Sequence, residues 1–235
     1  MKPIGPFMKV FGSKWGASRK HRYPAPKHNT IYEPFAGGAG YSCTHYDKNV
    51  ILRESCFELS KLWGWLINTA KPSDIAEIPI LKPGTNILEI GLTEGQALLA
   101  KWWQRTNNHS TITWVTSSWC NKPGQWTANT RARISEEVEA IKHWKVGEHT
   151  GPCTVFCDPP YQFNYRYGQP SLDYQALAKE MKAAKKIGSQ VIVCEAVGKN
   201  GELPKYLPFK ESHSQVTSRR KATQSNHSKE LICLL

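Results

Sequence analysis

The stretch Thr30-Ile-Tyr-Glu-Pro-Phe-Ala-Gly-Gly-Ala-Gly40 begins with a short apolar run, Thr30 to Phe35, and continues into a turn that contains three glycines. An apolar run followed by turn residues predicts a buried strand that leads into a tight turn. Similar runs predict further strands at 49–52 (NVIL), 154–157 (TVFC), 190–194 (QVIVC) and 229–235 (KELICLL). Helical spacing predicts a helix at about 57–69, and Asp173 is the predicted N-cap of another. Strands that alternate with helices predict an open, mainly parallel α/β sheet with helices on both faces.

The middle of the chain, residues 76–148, differs in composition from the rest. It is rich in Trp, Thr, Asn and Lys or Arg, and Pro72, Pro79 and Pro83 interrupt regular structure where it begins. Apolar spacing within it predicts two helices, at about 94–106 and 128–144. We therefore expect one domain formed by 1–75 and 149–235, with 76–148 as an insertion.

The charge balance narrows the class of partner. The 235 residues include 31 Lys and Arg against 19 Asp and Glu, which gives a formal net charge of +12 and a pI of about 9.4. This balance favours a polyanionic partner. No apolar run approaches the roughly 18–20 residues of a membrane-spanning helix. The seven cysteines include no Cys-x-x-Cys pair, which disfavours a disulfide scaffold or a zinc ribbon. We expect a soluble, cytoplasmic protein without a structural metal.

Three segments concentrate the positive charge: 1–32 and 95–135, which contain no acidic residue, and Arg219-Arg-Lys221. The segment 95–135 also holds five of the nine tryptophans. Cations bind phosphates and flat rings stack on bases, so this mixture suits nucleic acid. The predicted DNA contacts are Lys101, Arg105, Lys122, Arg131, Arg133, Arg219 and Arg220. The alternative is that the tryptophans belong to the core and the charges face solvent.

The glycine turn and the end of the next strand predict a ligand site. Glycines at the carboxyl end of a strand let a ligand approach the backbone, and open α/β sheets bind ligands at this edge. Glu54 ends the next predicted strand, where an acid can bind the hydroxyls of a ribose. Residues 87–95 (ILEIGLTEG) also contain glycines, but no strand ending in an acid follows, and we assign them no ligand.

A second motif, Asp158-Pro-Pro-Tyr161, follows the predicted strand 154–157. Successive prolines fix the backbone and remove two N–H donors. The Asp158 carboxylate and the Pro159 carbonyl can each accept one N–H bond of an amino group on a planar base. Tyr161 offers a ring on which that base can stack. The alternative is a proline-rich loop without a catalytic role.

The chain resembles the DNA adenine methylase (Dam-like) family and its small phage-borne relatives. EPFAGGAG (33–40) and DPPY (158–161), in that order, are similar to the two signature motifs of amino-group DNA methyltransferases. Phe11-Gly-Ser-Lys14 is similar to the family's N-terminal aromatic-x-Gly-Gly-Lys element, and Val50-Ile-Leu-Arg-Glu54 to its second strand. Ser13 stands where the family has a second glycine, and Glu54 where aspartate is commoner.

The resemblance implies a Rossmann-like methyltransferase sheet, S-adenosylmethionine as cofactor and double-stranded DNA as partner. It implies catalysis by Asp158, Pro159, Pro160 and Tyr161, with target recognition in 76–148. The cofactor site it implies consists of Phe11, Lys14, Glu33, Pro34, Phe35, Ala36, Gly37, Gly38, Glu54 and Asp158. It also implies a phage enzyme that acts in a bacterial cytoplasm, in the context of restriction and modification.

The expected reaction is methyl transfer to the N6 amino group of a flipped-out adenine in DNA. Three other acceptors stay open: a cytosine amino group, an adenine in RNA and a protein glutamine. A catalytically silent DNA-binding relative is a further alternative. We expect a monomer or a weak dimer.

Overall fold

The computed structural model describes residues 2–10, 12–104, 113–115, 125–160, 172–196, 203–216 and 227–235. The helices in these ranges are α1 (Trp15–Ser18), α2 (Phe57–Asn68), α3 (Pro72–Ala76), α4 (Glu94–Gln104), α5 (Ala128–Glu137) and α6 (Tyr174–Lys186). The strands are β1 (Thr30–Glu33), β2 (Asn49–Leu52), β3 (Lys145–Val146), β4 (Thr154–Cys157), β5 (Gln190–Ala196), β6 (Lys210–Val216) and β7 (His227–Leu234). Short 3-10 helices span Ser42–His45, Val138–Ile141 and Leu203–Lys205.

The strands form one mixed sheet with the order β3-β2-β1-β4-β5-β7-β6. From β3 to β5 all neighbours are parallel, whereas β7 runs antiparallel to both β5 and β6. The order β3-β2-β1-β4-β5 is that of doubly wound Rossmann-type sheets. In such a sheet the direction of winding reverses between β1 and β4, and the carboxyl ends of these two strands border a crevice.

Successive residues of the central strands enter two separate apolar cores, because side chains alternate between the faces of a sheet. Ile31 and Ile192 belong to one core, and their neighbours Tyr32 and Val191 belong to the other. The first core includes buried residues of α2, α4 and α5, and the second includes buried residues of α6. Helices therefore cover both faces of the sheet, as the sequence predicts.

The helix α2 forms because its apolar residues Leu59, Leu62, Trp63, Leu66 and Ile67 lie at helical spacing and are all buried. Its neighbour α4 approaches closely at Gly95. A Cβ atom at Gly95 would meet the indole ring of Trp65. The second glycine of the stretch 87–95 thus serves helix packing.

The described residues of the segment 76–148 pack directly on the sheet, and their buried apolar side chains belong to the first core. Their buried residues, among them Ile78, Trp102, Trp126 and Ile134, share the first core with β1 and α2. The segment also supplies β3, which pairs with the end of β2. Trp114 is 55 % exposed, whereas Trp102, Trp103 and Trp126 belong to the core.

The five predicted strands and the helices α2 and α6 are all present. The helix predicted over 128–144 ends at Glu137 and continues as the 3-10 helix Val138–Ile141. The strands β3 and β6 are not predicted, since one has two residues and the other (KESHSQV) is polar. Both lie at edges of the sheet, where polar sequences are tolerated.

Within the described ranges, no helix combines the length and the apolar character that crossing a membrane requires.

Candidate functional site

The two predicted motifs meet at the carboxyl ends of β1 and β4. These strands are parallel neighbours, with Ile31 opposite Thr154 and Tyr32 opposite Val155. The glycine turn leaves β1 after Glu33, and Asp158 follows the last residue of β4. Both therefore lie at the same edge of the sheet, at the crevice where such sheets bind ligands.

Hydrogen bonds fix the glycine turn to β2 and α2. The N–H of Gly37 donates to Glu54 Oε2 at 2.8 Å, and its carbonyl accepts from Trp63 Nε1 at 2.9 Å. The N–H of Ala36 donates to the carbonyl of Arg53 at 3.0 Å. Gly37 has a φ of +47°, a conformation that glycine adopts without the steric cost of a side chain. These hydrogen bonds hold the turn against β2 and α2.

Glu54 follows the end of β2, as the sequence predicts, and accepts a hydrogen bond from the glycine turn. Its second oxygen, Oε1, accepts from the N–H of Cys56 at 2.8 Å. Burial raises the pKa of Glu54, although the backbone hydrogen bonds from Cys56 and Gly37 act against that shift. Each carboxylate oxygen can accept more than one hydrogen bond, so this acid can also accept from a ligand hydroxyl.

A buried ion cluster lies beside the turn. The ammonium of Lys14 lies 2.7 Å from Asp158 Oδ2 and 3.6 Å from Glu230 Oε1, and it donates to the carbonyl of Gly12 at 3.0 Å. Lys14 is only 4 % exposed. Burial lowers the pKa of Lys14, but the charges of Asp158 and Glu230 outweigh it and bring the pKa above its ordinary value. Lys14 therefore carries its positive charge inside the protein.

Glu230 comes from β7 and has a second partner, because the hydroxyl of Tyr23 donates to its Oε2 at 2.8 Å. One possible ligand atom each from Asp158, Cys194 and Glu230 lies within 4.8 Å of the others, a spacing that can suit a metal ion. Burial raises the pKa of the Cys194 thiol well above its ordinary value, which disfavours the thiolate that binds metals. Since Lys14 already lies against both carboxylates, we assign the positive charge of this cluster to Lys14.

Glu33, the last residue of β1, is buried next to this cluster. Its Oε1 accepts from the Ser42 backbone N–H at 2.8 Å and from the Ser42 hydroxyl at 2.5 Å. Burial raises the pKa of Glu33 to about 8, against the opposing effects of the Ser42 hydrogen bonds and of Lys14. Glu33 is therefore mostly protonated at neutral pH. Lys14, Asp158 and Glu230 then leave the cluster with a formal charge of −1.

The other predicted residues of the cofactor site line the same turn. Pro34 and Ala36 are buried, and the guanidinium of Arg53 lies 5.8 Å from the ring centre of half-buried Phe35. A Cβ at Gly38 would lie 3.5 Å from the Val10 side chain, so the N-terminal segment packs against the turn. Phe11 lies outside the described residues.

The second motif is described up to its two prolines. Pro159 is buried, and the carbonyl of Pro160 accepts from the Tyr174 hydroxyl at 2.9 Å. This hydrogen bond ties the motif to the first residue of α6. Tyr161, the predicted stacking residue, lies outside the described residues.

The described residues among the predicted DNA contacts are held by contacts within the protein. Lys101 pairs with Glu58 at 3.0 Å, and Arg131 donates to the carbonyl of Ile78 at 2.9 Å. Arg133 pairs with Glu137 and lies over the ring of Trp103. The remaining predicted contacts, which are Arg105, Lys122, Arg219 and Arg220, lie outside the described residues. The DNA contacts stay a prediction.

Arg133 has a role that the sequence does not reveal. It donates to the carbonyl of Pro6 at 2.6 Å, while Glu137 accepts from the N–H of Gly5 at 2.9 Å. Trp103 donates to the carbonyl of Phe7 at 2.7 Å. We call residues 4–8 the N-terminal arm. These bonds fasten the arm to α4 and α5, a few residues before Lys14.

Three residues of this site are not predicted from the sequence: Tyr23, Ser42 and Glu230. Glu230 carries a signal, since a charged residue directly precedes the apolar run LICLL of a predicted strand. Ser42 follows the glycine turn by two residues. Tyr23 has no distinguishing feature in the sequence.

No protein-family model matches the chain, and no curated protein matches it significantly.

Proposed function

We propose that the protein is an S-adenosylmethionine-dependent DNA adenine-N6 methyltransferase. The observation that carries the proposal is the contact of Asp158 with Lys14 at the carboxyl edge of the sheet, beside a fixed glycine turn. Two short motifs and an N-terminal lysine, far apart in sequence, lie together there. Open α/β sheets bind their ligands at this edge.

The residues of the site fit the proposed cofactor. S-adenosylmethionine would supply a methyl group on a positively charged sulfur, and a buried cluster with a formal charge of −1 attracts a cation. The Ser13 hydroxyl oxygen is buried and has no hydrogen-bond partner among the described residues. It lies next to Gly38 and can bind a polar group of the cofactor. Glu54 would accept from the ribose, and Lys14 would hold the Asp158 carboxylate in place.

Asp158 is the member of the ion cluster that a substrate can reach. Its side chain is 20 % exposed, against 5 % for Lys14 and 7 % for Glu230. A carboxylate in this place accepts an N–H bond from an exocyclic amino group. The bond strengthens as positive charge develops on that nitrogen, which lowers the energy of the transition state more than that of the ground state. Such a reaction needs no covalent bond between the enzyme and the base.

The net charge of +12 supports DNA as the carrier of the base. Phosphate contacts supply affinity independent of sequence and make binding weaker with rising salt. A base inside a duplex cannot reach Asp158, so the proposal requires the target adenine to leave the helix, at an expense of about a few kcal/mol.

The test is methyl transfer from labelled S-adenosylmethionine to DNA, RNA and protein, with mass spectrometry of the modified nucleosides. We expect N6-methyladenine in DNA. Asp158→Ala should lower the rate by about 100-fold or more, with DNA affinity retained. Asp47→Ala, which removes an acid of a surface ion pair with Lys48 outside 76–148, is the matched control and should leave the rate unchanged.

Label on cytosine, on RNA or on protein would replace adenine in DNA as the acceptor. A folded wild-type protein that binds DNA but transfers no methyl group would favour the catalytically silent relative. Substantial transfer by Asp158→Ala at saturating cofactor would remove Asp158 from the reaction.

A further inference from the structure

Glu230 is a buried acid in β7, and its burial has a cost that an apolar residue would avoid. It is 6 % exposed and stands opposite Ala196 of β5 in the antiparallel pair. A buried carboxylate is tolerated where it is paired and hydrogen-bonded. Here the pairing is with Lys14 and the hydrogen bond comes from Tyr23. Both partners come from the N-terminal 23 residues, although Glu230 is near the other end of the chain.

The two carboxylates share one ammonium. Lys14 lies closer to Asp158, at 2.7 Å, than to Glu230, at 3.6 Å. The ammonium makes a close charge-assisted hydrogen bond with Asp158 and also lies within ion-pair distance of Glu230, so the two carboxylates together carry one negative charge more than Lys14 balances. If Glu230 lost its charge, the attraction between Lys14 and Asp158 would no longer be shared with Glu230. Lys14 would then compete with an incoming amino group for the lone pairs of that carboxylate.

We infer that Glu230 is a positioning residue, which holds Lys14 between two carboxylates and so keeps Asp158 a strong hydrogen-bond acceptor. Tyr23 supports it by fixing the second oxygen of Glu230. The catalytic consequence rests on the proposed function, whereas the placement of Lys14 rests on the contacts alone. The experiment therefore has one arm that needs catalysis and one that does not.

The first arm measures methyl transfer by Glu230→Gln, which keeps the size of the side chain and an acceptor for Tyr23. We expect kcat to fall about tenfold or more, the value of one weakened charge-assisted hydrogen bond. The KM values for cofactor and DNA should change less than about threefold, since Glu230 is positioned behind Lys14. Tyr23→Phe should lower kcat in the same direction by a smaller factor, and it replaces Glu230→Gln if that variant does not fold. Asp47→Asn is the control for loss of one negative charge.

A kcat within twofold of wild type would overturn the inference, and so would a rise in KM at unchanged kcat. A further check is the Lys14→Met background. If Glu230 acts through Lys14, Glu230→Gln should lower kcat no further in that background. An equal loss in both backgrounds would contradict the inference.

The second arm is a double-mutant cycle on unfolding in urea with wild type, Glu230→Gln, Lys14→Met and the double variant. In Lys14→Met two carboxylates are left close together without their ammonium, so removal of one charge should relieve repulsion. Glu230→Gln should therefore be more favourable in the Lys14→Met background than in wild type, with a coupling of about tenfold in the unfolding constant. An additive cycle would show that Lys14 and Glu230 do not interact. If wild type methylates nothing, the proposed function fails, and this cycle still decides whether Glu230 places Lys14.

Discussion

The buried acid Glu33 should make the stability of the protein depend on pH in a direction opposite to that of most carboxyl groups. Burial raises its pKa from 4.5 to about 8, so between these values the folded state holds a proton that the unfolded state releases. Stability then falls as pH rises, by at most about 1.4 kcal/mol per pH unit for this one group. Over the whole interval the loss is about 5 kcal/mol, and it is complete above the folded pKa.

Glu33→Gln isolates this effect, because glutamine matches the protonated acid in shape and keeps an oxygen for the two Ser42 donors. We expect urea unfolding to give similar free energies for both proteins near pH 5. Near pH 8.5 the variant should be more stable than wild type by about 3–5 kcal/mol. Parallel stability curves from pH 5 to pH 8.5 would refute the reasoning, since Glu33 would then be ionised in the folded protein. Cofactor is omitted so that ligand binding does not contribute.

Two further variants test how the glycine turn and α2 are held. Gly40→Ala would place a Cβ against the backbone nitrogen of Trp15 and 2.9 Å from that of Lys14. It should lower the free energy of unfolding by about 1–3 kcal/mol. The control is Gly64→Ala in α2, because a Cβ there meets nothing within 4 Å. This variant should raise the free energy of unfolding by about 0.5–1 kcal/mol. Equal changes in the free energy of urea unfolding for Gly40→Ala and Gly64→Ala would contradict the close packing at Gly40. Lys142→Met should destabilise the protein by about 1–2 kcal/mol, because the ammonium donates to the carbonyls of Leu66 (2.7 Å) and Ala70 at the end of α2. The control is Lys182→Met at an exposed position of α6, which should change the free energy of unfolding in urea very little.

The sheet could be predicted from the sequence because its central strands are short apolar runs. Residues on both faces of these strands are buried, for example Ile31, Val155 and Ile192. The strands therefore appear in the sequence as continuous apolar runs, without an alternation of polar and apolar residues. The strand β6 lacks this signal, since KESHSQV at an edge pairs through backbone groups on one side alone. Pairing of the edge strands depends on tertiary contacts that local patterns do not encode.

The candidate site could be predicted where it depends on strand ends, and not where it depends on contacts between distant segments. Glu33, Glu54 and Asp158 each end or follow a strand, and parallel topology alone brings them to one edge. Glu230 also lies in a strand, but β7 is antiparallel, so its place at that edge follows from its register with β5. Arg133 is a residue whose charge is visible in the sequence but whose contact is not. Its charge suggests a phosphate contact, whereas its side chain binds the N-terminal arm.

The ion cluster is therefore assembled from two separate parts of the fold. The sheet places Asp158 and Glu230, because β4 and β7 both pair with β5. The chain before α1 places Lys14, and α4 and α5 hold its arm at Gly5, Pro6 and Phe7. Loss of the contacts made by Arg133 would weaken the attachment of the arm, which Glu137 and Trp103 also hold, and would leave both carboxylates in position. The placement of Lys14 thus depends on residues 76–148, the same segment that the sequence assigns to target recognition.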